Sequence, residues 1–117
     1  MVNYYYVSGS ISKDSDYKDK FKHAVSFLRQ KGYNIICPVE EGEKAYPNGA
    51  TWEQYMKLSI RTICREDCVG LIMLPAWQAS TGANIEKNTA CSLNMKIYTY
   101  LAIPDTTWPF KSSIMAN

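Results

Sequence analysis

Residues 68–74 constrain the fold most, because this apolar run carries no charge. A half-exposed strand alternates polar and apolar residues, whereas a run that stays apolar reads as a strand buried on both faces of a parallel sheet. A small-residue turn ending at Gly82 follows it. After that turn the spacing becomes helical: Ala83, Ala90 and Leu93 fall on one stripe of a 3.6-residue period, the side a covering helix turns to the sheet. Glu86 lies on the same stripe. A carboxylate on the inward side of a first helical turn loses hydration and is a poor choice without a partner. On spacing alone, a lone Glu early in a helix is more often a cap or a partner of the helix dipole. The strand, turn and helix start also form a common anion site, since unpaired N–H groups point out of a helix N-terminus.

The rest of the chain supplies the remaining layers. Residues 3–7 read as a first strand, broken by the Ser8-Gly9-Ser10 turn. Neither the dinucleotide-binding nor the P-loop glycine fingerprint is present there. Tyr17, Phe21, Ala24, Val25 and Leu28 form an amphipathic helical stripe. Asp14, Ser15 or Asp16 can cap its start, and Gly32 can take the left-handed conformation that ends it. Residues 34–37 read as a short strand stopped at Pro38. Residues 39–50 show no sustained period and are expected to form a loop of a length that is often functional, although Glu40, Glu41 and Glu43 read equally as a solvated acidic connection. Thr51 and Gln54 make a capping box for a second helix, with Trp52, Tyr55, Met56, Ser59, Ile60 and Ile63 on one stripe. Residues 96–101 supply a fourth strand.

Alternating strands and helices predict an α/β fold. The expected architecture is a doubly wound, Rossmann-like or flavodoxin-like sheet of four to five mainly parallel strands, with helices on both faces and right-handed crossovers. In such sheets the ligand crevice lies beyond the C-terminal strand ends. The Ser8-Gly9-Ser10 turn, the turn at 75–82 and the loop after Pro38 all belong there.

A chain of 117 residues is most simply one domain. Its body is expected over residues 1–103, with an arm or tail over 104–117. The Trp108 and Phe110 segment suits packing on its own domain or on a second subunit, and the last few residues are expected to be disordered. A net charge of +2, interspersed along the chain, argues against a nucleic-acid polymer as partner. No export leader or run of about 18 apolar residues is visible, so a cytoplasmic protein with no membrane association is expected. Cys37, Cys64, Cys68 and Cys91 lie in or beside predicted elements and read as reduced core thiols. His23 is the only histidine, with Lys22 beside it. No metal site and no cofactor are expected.

Several short passages together carry a family resemblance. They are Tyr6-Val7-Ser8-Gly9-Ser10-Ile11, the passage from Lys31-Gly32-Tyr33 to Pro38, Trp52-x-x-Tyr55-Met56, Glu66-Asp67-Cys68-Val69, and Ser80-x-Gly82-Ala83-x-x-Glu86-x-x-x-Ala90. In this order and spacing the chain resembles the nucleoside 2-deoxyribosyltransferase superfamily, including the 2'-deoxynucleoside 5'-phosphate N-hydrolases. The resemblance implies that Glu86 attacks the anomeric carbon of a nucleotide, that Tyr6 positions it, and that Ser10 and Ser80 hold a 5'-phosphate. Ser8, Gly9, Ser59 and Gly82 join them as candidate substrate-binding residues, with amides near Gly82 adding to the phosphate site. An uncharged Ser80 favours a nucleotide over an unphosphorylated nucleoside.

One position departs from the pattern. The family carries an aspartate eight residues before the acid that opens the third strand; counting back from Asp67 gives Ser59. Asp67 itself reads as structural. Asp16, Glu40 or Glu41 are candidates to replace the missing carboxylate. The leading expectation is an N-glycosidase or base-exchange enzyme on (deoxy)nucleoside 5'-monophosphates. The alternatives are a protein that binds a nucleotide without turnover, as Ser59 suggests, and a structural or partner-binding domain. The resemblance also implies a homodimer or larger homo-oligomer.

Overall fold

The computed structural model describes residues 2–110. Its central strand is β3 (Cys68–Met73), where Leu71, Ile72 and Met73 are all buried. β1 (Tyr4–Ser8) lies on one side of β3 and β4 (Lys96–Thr99) on the other, with the short β2 (Ile35–Ile36) beyond β1. The order is β2-β1-β3-β4 and every pairing is parallel. Tyr6 stands opposite Leu71, and Ser8 opposite Met73.

Side-chain alternation along β1 and β3 divides the interior into two cores. Val7 and Ile72 pack with Phe21, Ala24, Val25 and Leu28 of α1 (Tyr17–Gln30). Tyr6, Leu71 and Met73 pack instead with Ile63 of α3 (Trp52–Ile63) and with Ala83 and Ala90 of α4 (Thr81–Ser92). A one-residue slip of β1 would exchange the two faces, so these opposing cores fix the register. The doubly wound expectation is met.

Local chemistry accounts for the helix boundaries. Gly32, at φ +95°, takes the left-handed conformation after α1. Thr51 Oγ1 accepts from the Gln54 amide at 3.1 Å while Gln54 Oε1 accepts from the Thr51 amide at 2.8 Å, completing the capping box. At the start of α1, Asp16 makes no side-chain cap; Asp14 accepts from the Asp16 amide instead, at 2.9 Å.

Four expectations need correction. Residues 39–50 are not all loop, because α2 (Pro38–Ala45) occupies most of them. Pro38 follows the end of β2, as expected, and also starts this helix: at the first helical position its missing N–H is no loss, and Glu40 and Glu41 suit the positive end of the dipole. Arg29 then holds Glu40 through two hydrogen bonds, 2.7 and 2.8 Å. Leu93 is 52% exposed, because α4 ends at Ser92 and the helical stripe does not continue beyond it. Cys37 and Cys68 are buried, but Cys64 and Cys91 are exposed. Cys64 follows the last turn of α3, and Cys91 lies on the outer side of α4. The fourth strand is shorter than residues 96–101, giving way to a 3-10 turn, Tyr100–Ala102, that buries the Tyr100 ring.

The segment after that turn folds back on its own domain. Trp108 meets Tyr100 edge-on with centroids 5.6 Å apart, and His23 Nε2 donates to the Thr107 carbonyl at 2.8 Å. The expectation for the last residues, 111–117, lies outside the described residues. Asp67 forms a two-point ion pair with Arg65, at 2.7 and 2.9 Å, just before β3.

Gly70 shows how tightly the sheet is assembled. A Cβ there would lie 2.8 Å from the Lys96 carbonyl oxygen and 3.0 Å from the Tyr5 ring. Gly70→Ala is therefore expected to lower stability by about 1–3 kcal/mol through overpacking in the β3–β4 ladder. Urea denaturation would measure this, and an unchanged midpoint would show that the ladder can open at no cost.

Candidate functional site

The site is built where α4 descends onto the face of β1 that carries Tyr6 and Ser8. Strand periodicity puts these two side chains on the same side. Ser80 caps α4, its Oγ accepting from the Ala83 amide at 3.1 Å. Gly82 allows the first turn to approach α3, since a Cβ there would stand 3.1 Å from Met56 Sδ. This docking brings Glu86, 7% exposed, over β1.

Glu86 is held by hydroxyl groups. Ser8 Oγ donates to Oε1 at 2.6 Å, and Tyr6 Oη donates to Oε2 at 3.1 Å. Ser59 approaches from α3. Its hydroxyl donates to the Met56 carbonyl at 3.0 Å and also stands near enough to favour the ionised forms of Glu86 and Tyr6. A hydroxyl has one proton, so Ser59 can give it to only one of these acceptors at a time. None of the groups acting on Glu86 is a cation.

Burial therefore dominates the electrostatics. It pushes the Glu86 carboxyl above its ordinary value, against the opposing hydrogen bonds from Ser8, Ser59 and Tyr6. Burial also pushes the Tyr6 phenol well up, and the neighbouring negative charge of Glu86 adds to that shift. Tyr6 consequently remains a hydrogen-bond donor. Glu86 is not a dipole partner of its own helix, because both carboxylate oxygens are engaged by β1.

Above this floor opens a cleft of about 920 Å³, a volume typical of small-molecule sites. Tyr6, Gly9, Ser59, Ser80, Gly82 and Glu86 all line it. Of the other predicted site residues, Ser8 is fully buried and reaches the cleft only through Glu86. Ser10 does not line it. Of the three carboxylates considered as replacements at Ser59, Glu41 lines the cleft, Glu40 is bound to Arg29, and Asp16 lies outside the lining.

Sequence reasoning placed the segment after Pro38 at the crevice but did not name the wall it forms there. Tyr46 and the α2 residues Glu41, Gly42 and Glu43 form it, together with Trp52 and Tyr55 of α3. Reading residues 39–50 as a loop concealed the helix, and the helical stripe alone made Trp52 and Tyr55 look inward-facing. The capping box fixes α3, so the angular position of these rings was legible, but the cleft they face was not. Lys13 and Lys18 add positive charge, with Lys18 paired to Glu43 at 3.4 Å. Among the described residues no three His, Cys, Asp or Glu side chains gather as a metal-binding set. No helix among them is long and apolar enough to cross a membrane.

The raised Glu86 value has a consequence for stability. The folded chain holds this proton more tightly than the unfolded chain, so the stabilisation is complete below the ordinary glutamate value of 4.5 and is lost as pH rises through the folded value. Glu86→Gln cannot ionise, and Ser8 can turn its hydroxyl to accept from the new amide. The variant is expected to gain on wild type as pH rises towards neutrality, measured by urea midpoints across pH. A pH-independent difference would show that Glu86 titrates as an ordinary carboxylate.

No curated protein and no solved structure matches the chain. The family described as Domain of unknown function (DUF4406) matches over residues 3–99, from the strand that carries Tyr6 through β4, and the chain belongs to that family.

Proposed function

We propose that the chain is an N-glycosidase or base-exchange enzyme acting on (deoxy)nucleoside 5'-monophosphates, with Glu86 as the nucleophile. The observation that carries this reading is the buried Glu86 carboxylate, fixed by Tyr6 and Ser8 on the floor of a cleft whose lining is aromatic and mixed in charge. Poor hydration makes a carboxylate reactive once ionised, and two fixed hydroxyls restrict where its oxygen can point.

In the proposed reaction a Glu86 oxygen attacks the anomeric carbon. The carbon–nitrogen bond breaks, and its electron pair leaves with the base, which takes up a proton. The resulting glycosyl ester is resolved by water in hydrolysis or by a second base in exchange. Ser80 suits a phosphate position: its oxygen already accepts from Ala83, which leaves its proton to donate to a phosphate oxygen. The α4 N-terminus adds its dipole to the same position. Ser10 has no part in the cleft lining, so Lys13 and Lys18 are better candidates for the remaining phosphate contacts.

Ser59 supports a second reading, in which the protein binds a nucleotide without turnover. Its hydroxyl donates to Met56 and cannot supply the carboxylate chemistry of an aspartate. Chromatography of free base released from a panel of nucleoside 5'-monophosphates separates the two. The enzyme reading expects base release that rises with pH as Glu86 ionises and falls by about 10³-fold or more in Glu86→Ala. Tight nucleotide binding with no base released, equal in wild type and Glu86→Ala, would establish the binding reading instead.

A further inference from the structure

We infer that the wall formed by α2 and α3 is a stacking subsite for the nucleobase, with Tyr55 as its fixed platform and Gly42 as the residue that makes room for it. This inference rests on the nucleotide reading above and deepens it by placing the base.

The first observation is exposure. Large aromatic side chains normally bury their faces, yet Trp52 is 41% exposed and Tyr55 39% exposed, and both line the same cleft as Glu86. Met56, next to Tyr55 in sequence, lines it too. The second is that Tyr55 is held in place. Its ring meets Tyr46 edge to face, with centroids 5.8 Å apart and planes at 88°. It also lies directly against α2, where a Cβ at Gly42 would come within 3.2 Å of Tyr55 Cε1.

Glycine is a poor helix former, costing about 1 kcal/mol relative to alanine. Gly42 nevertheless sits inside α2, and Arg29 ties the start of that helix to α1 through Glu40. Backbone and ring are thus in contact with no side chain between them. A partly exposed ring fixed from behind is the geometry that stacks a flat heterocycle, because the ring is ordered before the ligand arrives.

Charge complements this placement. The floor of the cleft offers a carboxylate, and its rim sets Lys13 and Lys18 among Asp14, Glu41 and Glu43, with Lys18 paired to Glu43, so the α4 N-terminus at Ser80 is the end that favours an anion. A ligand with an apolar flat end and an anionic end fits such a division. A nucleoside monophosphate has both, with the sugar between them.

Titration calorimetry on the full chain tests the subsite, using 2'-deoxyguanosine 5'-monophosphate, 2'-deoxycytidine 5'-monophosphate and 2-deoxyribose 5-phosphate as probes. The last lacks only the base. Wild type should bind both nucleotides at least about 10-fold more tightly than the sugar phosphate, since one stacked base contributes about 1–3 kcal/mol. Tyr55→Ala should weaken nucleotide binding by about 5- to 100-fold and leave sugar-phosphate binding unchanged. Tyr55→Phe retains the ring and should bind like wild type. Gly42→Ala should displace the ring and weaken nucleotide binding alone.

Equal affinity of wild type for nucleotides and sugar phosphate would overturn the stacking subsite while leaving a sugar-phosphate site intact. Nucleotide binding unaffected by both Tyr55→Ala and Gly42→Ala would also overturn it. Binding of none of the three probes would remove the nucleotide reading and the subsite together.

Discussion

A buried carboxylate held only by neutral hydroxyls is the constraint on which the rest of this structure depends. Removing a carboxylate from water is costly, and the usual remedy is a cation beside it. Glu86 instead receives Ser8 at 2.6 Å and Tyr6 at 3.1 Å. Hydroxyl donors satisfy the oxygens without neutralising the charge, so burial still raises the carboxyl above its ordinary value. An arginine in the same place would hold the group ionised but would also draw off its electron density. The hydroxyl arrangement keeps the carboxylate basic and oriented.

That arrangement depends on elements far apart in the chain. Tyr6 and Ser8 share a face only because β1 is extended, and β1 is extended because Val7 packs on the α1 side of the sheet. The approach of Glu86 is set at the start of its helix, where Ser80 caps the first turn and Gly82 admits Met56. The doubly wound sheet thereby assigns separate tasks to its two faces. One is an apolar core against α1, whereas the other combines an apolar core with the hydroxyl groups that receive Glu86.

Much of this was legible in the sequence because it rests on local periodicity. The uncharged run at β3, the stripe of α1 and the Thr51–Gln54 box each report their own element. Glu86 was legible for the same reason: its stripe also contains Ala83 and Ala90, which both prove buried. Its partners were not derivable from spacing, since Tyr6 and Ser8 lie 80 and 78 residues away. The resemblance brought Tyr6 forward as the positioning residue, while Ser8 was grouped with substrate contacts and is found on the carboxylate instead. α2 was hidden because its helix is held together by tertiary contacts. Arg29 on Glu40 and Tyr55 on Gly42 are pairings that no window of sequence displays.

The distribution of charge in the cleft also bears on how a ligand would lie in it. A phosphate placed against Glu86 would set two negative charges together in a region of low polarity, where their repulsion is strongest. The rim sets Lys13 and Lys18 among Asp14, Glu41 and Glu43, with Lys18 paired to Glu43, so the α4 N-terminus at Ser80 is the favourable place for an anion. On the proposed reading this polarity turns the phosphate away from Glu86 and leaves the sugar carbon as the part of the nucleotide nearest to it. The same repulsion argues that Ser59 is tolerable where a second carboxylate is expected: with Tyr6 and Glu86 already strongly perturbed by burial, another acid on that floor would raise the Glu86 value further and reduce the fraction ionised at neutral pH. On the proposed reading, Ser59 thus trades the carboxyl of the resembled family for a larger ionised population of Glu86.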